Sequence, residues 1–246
     1  MTIVLFTVLD LETAGLTPPA SVIEIGLTTL FYDTDTKRIE ISAPYHRLFR
    51  PAAPMTSDVV AVHHLTDAML AGYEVCTDDD LRTVVGENRP QFLVAANCAF
   101  ERQWVTDEIV GVDLSGKQIR WICTVKCAAR LVPDAPSHSN QAMRYELGLD
   151  LPEHLAMPPH RAGPDSFVTA HILKAFIERG ARVRDLVAWT AEPRFMTKCP
   201  IGKEWRGKPW AEVDRGFLEW VLRQPDMDED TAHWCRVELE RRRVAA

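Results

Sequence analysis

Long apolar runs are missing from this sequence. The run nearest its start, residues 3–9, falls far short of the roughly 20 residues a membrane-spanning helix needs, and no basic segment precedes it. Neither an anchor nor a signal peptide is expected, and a cytoplasmic location follows. CxxC pairs are missing too: Cys76, Cys98, Cys123, Cys127, Cys199 and Cys235 show no zinc-ligand spacing and read as reduced thiols, with Cys123 and Cys127 one turn apart on a helix. There is no GxxxxGKS or GxxxxGKT phosphate loop, internal repeat or low-complexity segment. Positive charge is also short, with 28 Lys and Arg against 35 Asp and Glu and a formal net charge of -7, so a broadly basic nucleic-acid surface is not expected. The shortfall is uneven. Residues 1–192 carry 17 basic against 25 acidic side chains, whereas residues 193–246 carry 11 against 10.

What is present can bury a sizeable core, as one large domain or a domain with a small appendage. Residues 3–9, rich in β-branched and aromatic side chains, read as a buried strand that meets Asp10 and Glu12. Two residues apart on a strand, these carboxylates project from one face. Such a pair repels itself unless a cation neutralises it, which points to a hard divalent metal; the plainer alternative is a strand leaving the core into an acidic turn. If acids of the front part are ligands, bound cations offset part of its charge and attract an anionic substrate.

Further along, residues 22–31, with Glu24 embedded, and 39–49 read as second and third strands of an antiparallel meander. Helices are expected over 59–70 and 79–86, then a strand over 92–96 and a helix carrying Phe100, Trp104, Val105 and Ile109. A last strand over 119–122 precedes a helix over 124–131. Ser139 is a candidate N-cap and Gly148 a candidate helix stop, 150–163 reads as a loop, and Pro164 as the first residue of a helix running to 180. Meander followed by alternating helices and strands gives an α/β domain with a mixed five-stranded sheet flanked by helices.

Acidic and imidazole groups recur at element ends: Asp10 and Glu12, then Glu101, then His160 and Asp165. One edge of an α/β sheet is where such folds build their sites. Asp10-Leu11-Glu12-Thr13-Ala14-Gly15-Leu16, Ala96-Asn97-Cys98-Ala99-Phe100-Glu101 and His160-Arg161-Ala162-Gly163-Pro164-Asp165 resemble, in order, the three motifs of the DEDDh 3′→5′ exonucleases. A narrower resemblance to one DNA-degrading branch of that family rests on Trp121-Ile122-Cys123-Thr124, Ala129-Arg130-Leu131, Ser139-Asn140, the segment Gly202-Lys203-Glu204-Trp205-Arg206-Gly207-Lys208, and Phe217-Leu218-Glu219-Trp220.

The resemblance implies a ribonuclease H-like fold and two Mg²⁺ (or Mn²⁺) ions held by Asp10, Glu12, Glu101 and Asp165, with His160 as general base. It also implies Thr13, Gly15, Leu16, Asn97 and Phe100 as substrate contacts. Glu101 stands where the family usually has Asp, and Ala96 where His is common. The expected activity is that of a 3′→5′ exodeoxyribonuclease acting on DNA 3′ ends, single-stranded and as a further option double-stranded, and releasing nucleoside 5′-monophosphates. An RNA 3′-end trimmer, a polymerase proofreading subunit and a non-catalytic nucleic-acid-binding module on a degenerate nuclease fold are the alternatives.

The texture changes near residue 190, and a boundary is placed there: 1–190 as the nuclease domain, 191–246 as a small module. Five of the seven tryptophans lie from Trp189 onward. Lys203, Arg206 and Lys208 could contact DNA, with Trp205 or Trp210 stacking on bases; equally, the aromatics could form the module's own core. Of the adjacent His63 and His64, one buried and one exposed ring is expected, and Glu24 could be a paired structural acid.

Overall fold

The computed structural model describes residues 2–86, 90–115 and 118–244. Strand β1 (Ile3–Thr13) lies within a mixed six-stranded sheet, paired antiparallel with β2 (Val22–Asp33). Both β3 (Ile39–Ile41) and β4 (Tyr45–Leu48) pair antiparallel with β2, so the meander forms but its third strand is split, and the sheet has six strands rather than five. The cause is local. Residues 42–44 stand opposite only residues 28 and 29 of β2, and Pro44 has no N–H to give the ladder.

Helices α1 (Ser57–His63), α2 (Asp67–Leu70) and α3 (Asp78–Arg82) follow. The single helix expected over 59–70 is broken because His64 turns left-handed (φ 59°) and Thr66 caps a fresh helix, its side chain accepting from the Met69 N–H. Helix α3 likewise stops at Arg82, short of Gly86. Strand β5 (Phe92–Ala95) pairs parallel with β1 and is followed by α4 (Cys98–Glu101) and α5 (Asp107–Val110) in place of one continuous helix; Thr106 caps α5 by accepting from Ile109 N–H. Strand β6 (Arg120–Cys123) adds parallel to β5, giving the order β3-β2-β1-β5-β6 with β4 also on β2.

Helix α6 (Thr124–Leu131) spans the expected residues. Ser139 stands at the N-cap position of α7 (Asn140–Glu146), though its side chain makes no capping bond, and Gly148 adopts φ 66° just past that helix. A short α8 (Glu153–Ala156) falls inside the expected loop over 150–163, and α9 (Ala162–Glu178) begins two residues before Pro164. Then come α10 (Val183–Ala191), a 3₁₀ turn at Trp210–Glu212, α11 (Arg215–Val221) and α12 (Glu229–Val244). No helix among the described residues is long and apolar enough to cross a membrane.

Two apolar clusters cover the two faces of the sheet. Phe6 and Val8 of β1 pack with Val168, Ile172 and Phe176 of α9, whereas Leu9 and Leu11 pack on the other face with Leu81, Trp104 and Val105. Helix α9 is buried on nearly every side, as its apolar sequence requires. Truncating a side chain as enclosed as Phe176 would cost about 3–5 kcal/mol. Gly26 lets α9 approach: a Cβ there would lie 1.9 Å from the carbonyl oxygen of Ala162. A separate cluster joins Cys199, Trp210, Val213, Leu218, Val221 and Cys235.

Candidate active site

Strand periodicity does the first part of the positioning. Phe6, Val8, Asp10 and Glu12 alternate along β1, so the carboxylates continue the face that α9 covers. The first turn of α9 brings Asp165 to them, and ligand oxygens of Asp10, Glu12 and Asp165 all lie within 4.8 Å of one another. Glu101, at the end of α4, borders the same cavity but stands outside that tight group; it is 3 % exposed, and its Oε2 has no hydrogen-bond partner among the described residues.

Asp165 is held on both oxygens. The His160 backbone N–H donates to Oδ2 at 2.7 Å, while Asn140 Nδ2 and Gln141 Nε2 donate to Oδ1 at 3.2 and 3.3 Å. Thr169 Oγ1 in turn donates to Asn140 Oδ1 at 3.0 Å. His160 itself is exposed, with φ 57°, and borders the same cavity while its backbone orients a carboxylate. The sequence had marked Asn140 only as part of a resemblance, and Gln141 not at all.

Glu24, inside β2 and fully buried, anchors the whole arrangement. Its Oε2 accepts from Arg161 Nε (2.8 Å) and the Ala162 backbone N–H (3.1 Å), and its Oε1 from Arg161 Nη2 (3.0 Å) and His46 Nδ1 (2.9 Å). A bidentate guanidinium and a helix-start amide therefore tie the beginning of α9 to the sheet. An acid embedded in an apolar strand is the signal that sequence offered; its partner lies 137 residues away.

Among the described residues no arginine hydrogen-bonds Asp10, Glu12, Glu101 or Asp165 in this way, although the Arg161 charge lowers Glu12. Burial above all, then repulsion from Glu12, Asp165, Glu101 and Glu24, drives Asp10 well above the ordinary carboxylate range. Glu12 is pushed up to about 8 by burial and by Asp165, and Glu101 to about 8 chiefly by burial. Burial raises Asp165 too, opposed by its hydrogen bonds from His160, Asn140 and Gln141. Closely packed, dehydrated carboxylates with an unspent oxygen fit a hard divalent cation, which selects oxygen ligands.

The cavity over this cluster, about 400 Å³, is also lined by Thr13, Gly15, Leu16, Asn97 and Phe100, so every expected substrate-contact residue is brought to one place. Leu16 is 80 % exposed at its rim. Val59, Val62 and His63 line it as well, which sequence reasoning did not assign. Of the histidine pair, His63 is buried and accepts the Leu65 N–H on Nδ1, and His64 is exposed. Ala96 sits in the cavity wall.

Lys203, Arg206 and Lys208 do not line it. Lys203 is exposed, Lys208 rests its ammonium 4.5 Å from the Trp205 ring centre, and Arg206 borders a different cleft. Trp210 cannot stack on bases: it is buried, and its Nε1 donates to the Met196 carbonyl at 2.9 Å.

Comparisons with known proteins agree with this geometry. A family model described as Exonuclease (RNase_T) matches residues 7–173. Exodeoxyribonuclease 10 of Escherichia coli K12 is 30% identical over 223 residues, covering 89% of this chain and 91% of that protein. A PolC-type DNA polymerase III of Thermotoga maritima is 28% identical over 178 residues, 70% of this chain but 12% of that one. Among solved structures, exonuclease X in complex with 5′-overhanging duplex DNA superposes with a TM-score of 0.57 at 25% identity, covering 76% of this chain and 99% of that chain.

Proposed function

The chain belongs to the exonuclease family, and on that premise we propose that it hydrolyses DNA stepwise from 3′ ends, releasing nucleoside 5′-monophosphates. The observation that carries the reading is the convergence of Asp10, Glu12 and Asp165 within 4.8 Å beside an exposed histidine. Asp10, Glu12, Asp165 and Glu101 would hold two Mg²⁺ or Mn²⁺ ions. When bound, such ions lower the pKa of an attacking water and offset charge on the phosphate and the leaving oxygen.

The chain's own groups supply the rest. An imidazole nitrogen of His160 takes a proton from the water as its oxygen bonds to phosphorus. The bond from phosphorus to the 3′ oxygen breaks, and that oxygen leaves as the new 3′-hydroxyl, taking up a proton from solvent water, to which the imidazolium returns its own. Asn140, Gln141 and the His160 amide keep Asp165 in place during the step. Leu16 and Phe100 present apolar surface to the terminal nucleotide, and Thr13 and Asn97 present polar groups. In this reading residues 1–190 form the nuclease domain and residues 191–246 an accessory module that contacts the substrate.

The test is digestion of 5′-labelled DNA and RNA oligonucleotides of one sequence with Mg²⁺ or Mn²⁺, beside the Asp165→Ala protein. A ladder shortening from the DNA 3′ end, weak on RNA and absent in the variant, is the expected result. Preferential RNA shortening would make it an RNA trimmer, and no metal-dependent product on either would leave a binding module.

A further inference from the structure

A second cleft, about 650 Å³, opens where the loop at 133–139 faces the segment 194–200 and the turn at 206–207, so the nuclease part and the tail each supply one wall. Its charged lining is Arg194, Lys198 and Arg206 against Asp134 among the described residues. On a chain of net charge -7 this is a local reversal of sign, at the place where the basic side chains of the tail meet the front part.

Arg194 is built in rather than draped over the surface. Its backbone N–H donates to Asp230 Oδ1 at 2.9 Å, and its carbonyl accepts from Trp234 Nε1 at 2.7 Å. Its Nη2 donates to His138 Nδ1 at 3.1 Å, and His138 Nε2 donates to the Val132 carbonyl at 2.9 Å. These roles are forced, because guanidinium only donates and carbonyl only accepts. Meanwhile Arg194 Nε is buried without a hydrogen-bond partner among the described residues. A guanidinium fixed by His138, two exposed cations and the hydroxyls of Ser137, Ser139 and Thr197 make a lining suited to phosphate oxygens.

The cleft is also close along the chain to the carboxylate cluster. Ser137, His138 and Ser139 line it, and the next two residues, Asn140 and Gln141, hold Asp165. From Ser139 to Gln141 the chain spans no more than about 7 Å. A nucleic-acid strand whose 3′ end lies at the carboxylates therefore has the cleft within a few nucleotides of the bond to be broken.

We infer that this cleft is a binding site for the phosphodiester backbone of the nucleic-acid strand upstream of the scissile bond, with Arg194, Lys198 and Arg206 as its phosphate contacts. The inference rests on the nuclease reading for its orientation, and it gives the tail its work: the tail completes the strand track. Of the three tail cations singled out by sequence, only Arg206 belongs to it.

The test is equilibrium binding of a fluorescein-labelled oligothymidylate to the full chain in EDTA, where no hydrolysis occurs, over a series of salt concentrations. The variants are Lys198→Glu/Arg206→Glu, both exposed, and Arg215→Glu/Arg223→Glu, an equal charge change on the same tail outside the cleft; Lys198→Gln/Arg206→Gln guards against misfolding. The cleft reversal should weaken binding about ten-fold or more and reduce the slope of log affinity against log salt by about 1.4, the loss of two single-strand phosphate contacts. The Gln pair should give a smaller shift of the same sign, and the control should move less than about two-fold. No weakening, or equal weakening in the control, overturns the inference. Binding of thymidine 5′-monophosphate separates the two sources of phosphate: an equal loss for it would assign the cleft to a free nucleotide and overturn the strand assignment. A chain that binds DNA through the cleft yet digests none would contradict the nuclease reading instead.

Discussion

Two regions of this molecule bury acids with opposite outcomes. On helix α12, Glu238 is 5 % exposed, and Arg241 and Arg242 hydrogen-bond its carboxylate at 2.7 Å, the Arg241 bond foremost in holding its pKa down at about 2. At the sheet edge Glu12 and Glu101 are as enclosed, face other carboxylates, and are pushed up to about 8. At the sheet edge burial is the largest cause of the rise and neighbouring acids add to it, whereas at Glu238 the guanidinium hydrogen bonds outweigh it. Glu24, fully buried beside the raised group, is bound on both oxygens by Arg161. Among the described residues, arginine hydrogen-bonds Glu24 and Glu238 but none of the cavity carboxylates Asp10, Glu12, Glu101 and Asp165, a set that fits a cation. Perturbed, unpaired carboxylates in a cavity are the physical mark of a working site.

The largest way to break this contrast is to remove a member of the unpaired set. Asp10→Ala should lower the rate of 3′-end digestion by about 1,000-fold or more while the fold persists, read from single-turnover kinetics and circular dichroism. Deleting a paired acid should do the reverse. Glu24→Ala leaves Arg161 without its partner and frees the start of α9, so unfolding in urea should show a loss of about 3–5 kcal/mol. An unchanged midpoint would mean the ion pair does not hold α9. Asn140→Ala acts through Asp165, and should weaken Mn²⁺ dependence about 10- to 100-fold with activity recovered at high Mn²⁺.

The smallest effects lie in pH dependence, where the two regions should move in opposite directions. Glu238 has a folded pKa below its usual 4.5, so its contribution is present above about pH 4.5 and is lost as pH falls towards 2. Glu12 and Glu101 have folded values above 4.5, so the metal-free fold carries more protons than the unfolded chain up to about pH 8. Its thermal midpoint in EDTA should therefore fall as pH rises from 5 to 8, and the Glu238→Gln protein should keep that fall while losing part of the acid-side dependence. A flat profile above pH 5 would contradict the raised values.

Much of the site was legible in the sequence because it depends on local rules. The two-residue period of a strand put Asp10 and Glu12 on one face, and helix 124–131 followed from its own pattern. What was not legible depended on distance or on competition. Neither the pairing of Glu24 with Arg161 nor the cradle of Asn140 and Gln141 around Asp165 leaves a mark on nearby residues. The strand over 39–49 read as one because its apolar pattern runs through Pro44, whereas the ladder with β2 cannot. Sequence left Trp210 equally a base platform or a core residue, and the packing of the tail puts it in the core.

The most direct measurement of the central claim is calorimetric titration of Mn²⁺ into the metal-free protein at pH 7, in two buffers of different ionisation enthalpy. Carboxylates that carry protons before the cation arrives must give them up when it binds. Proton release on the order of one per protein, abolished in Asp10→Ala and preserved in Glu238→Gln, is the expected result. Binding without proton release, or no Mn²⁺ binding at all, would contradict the account.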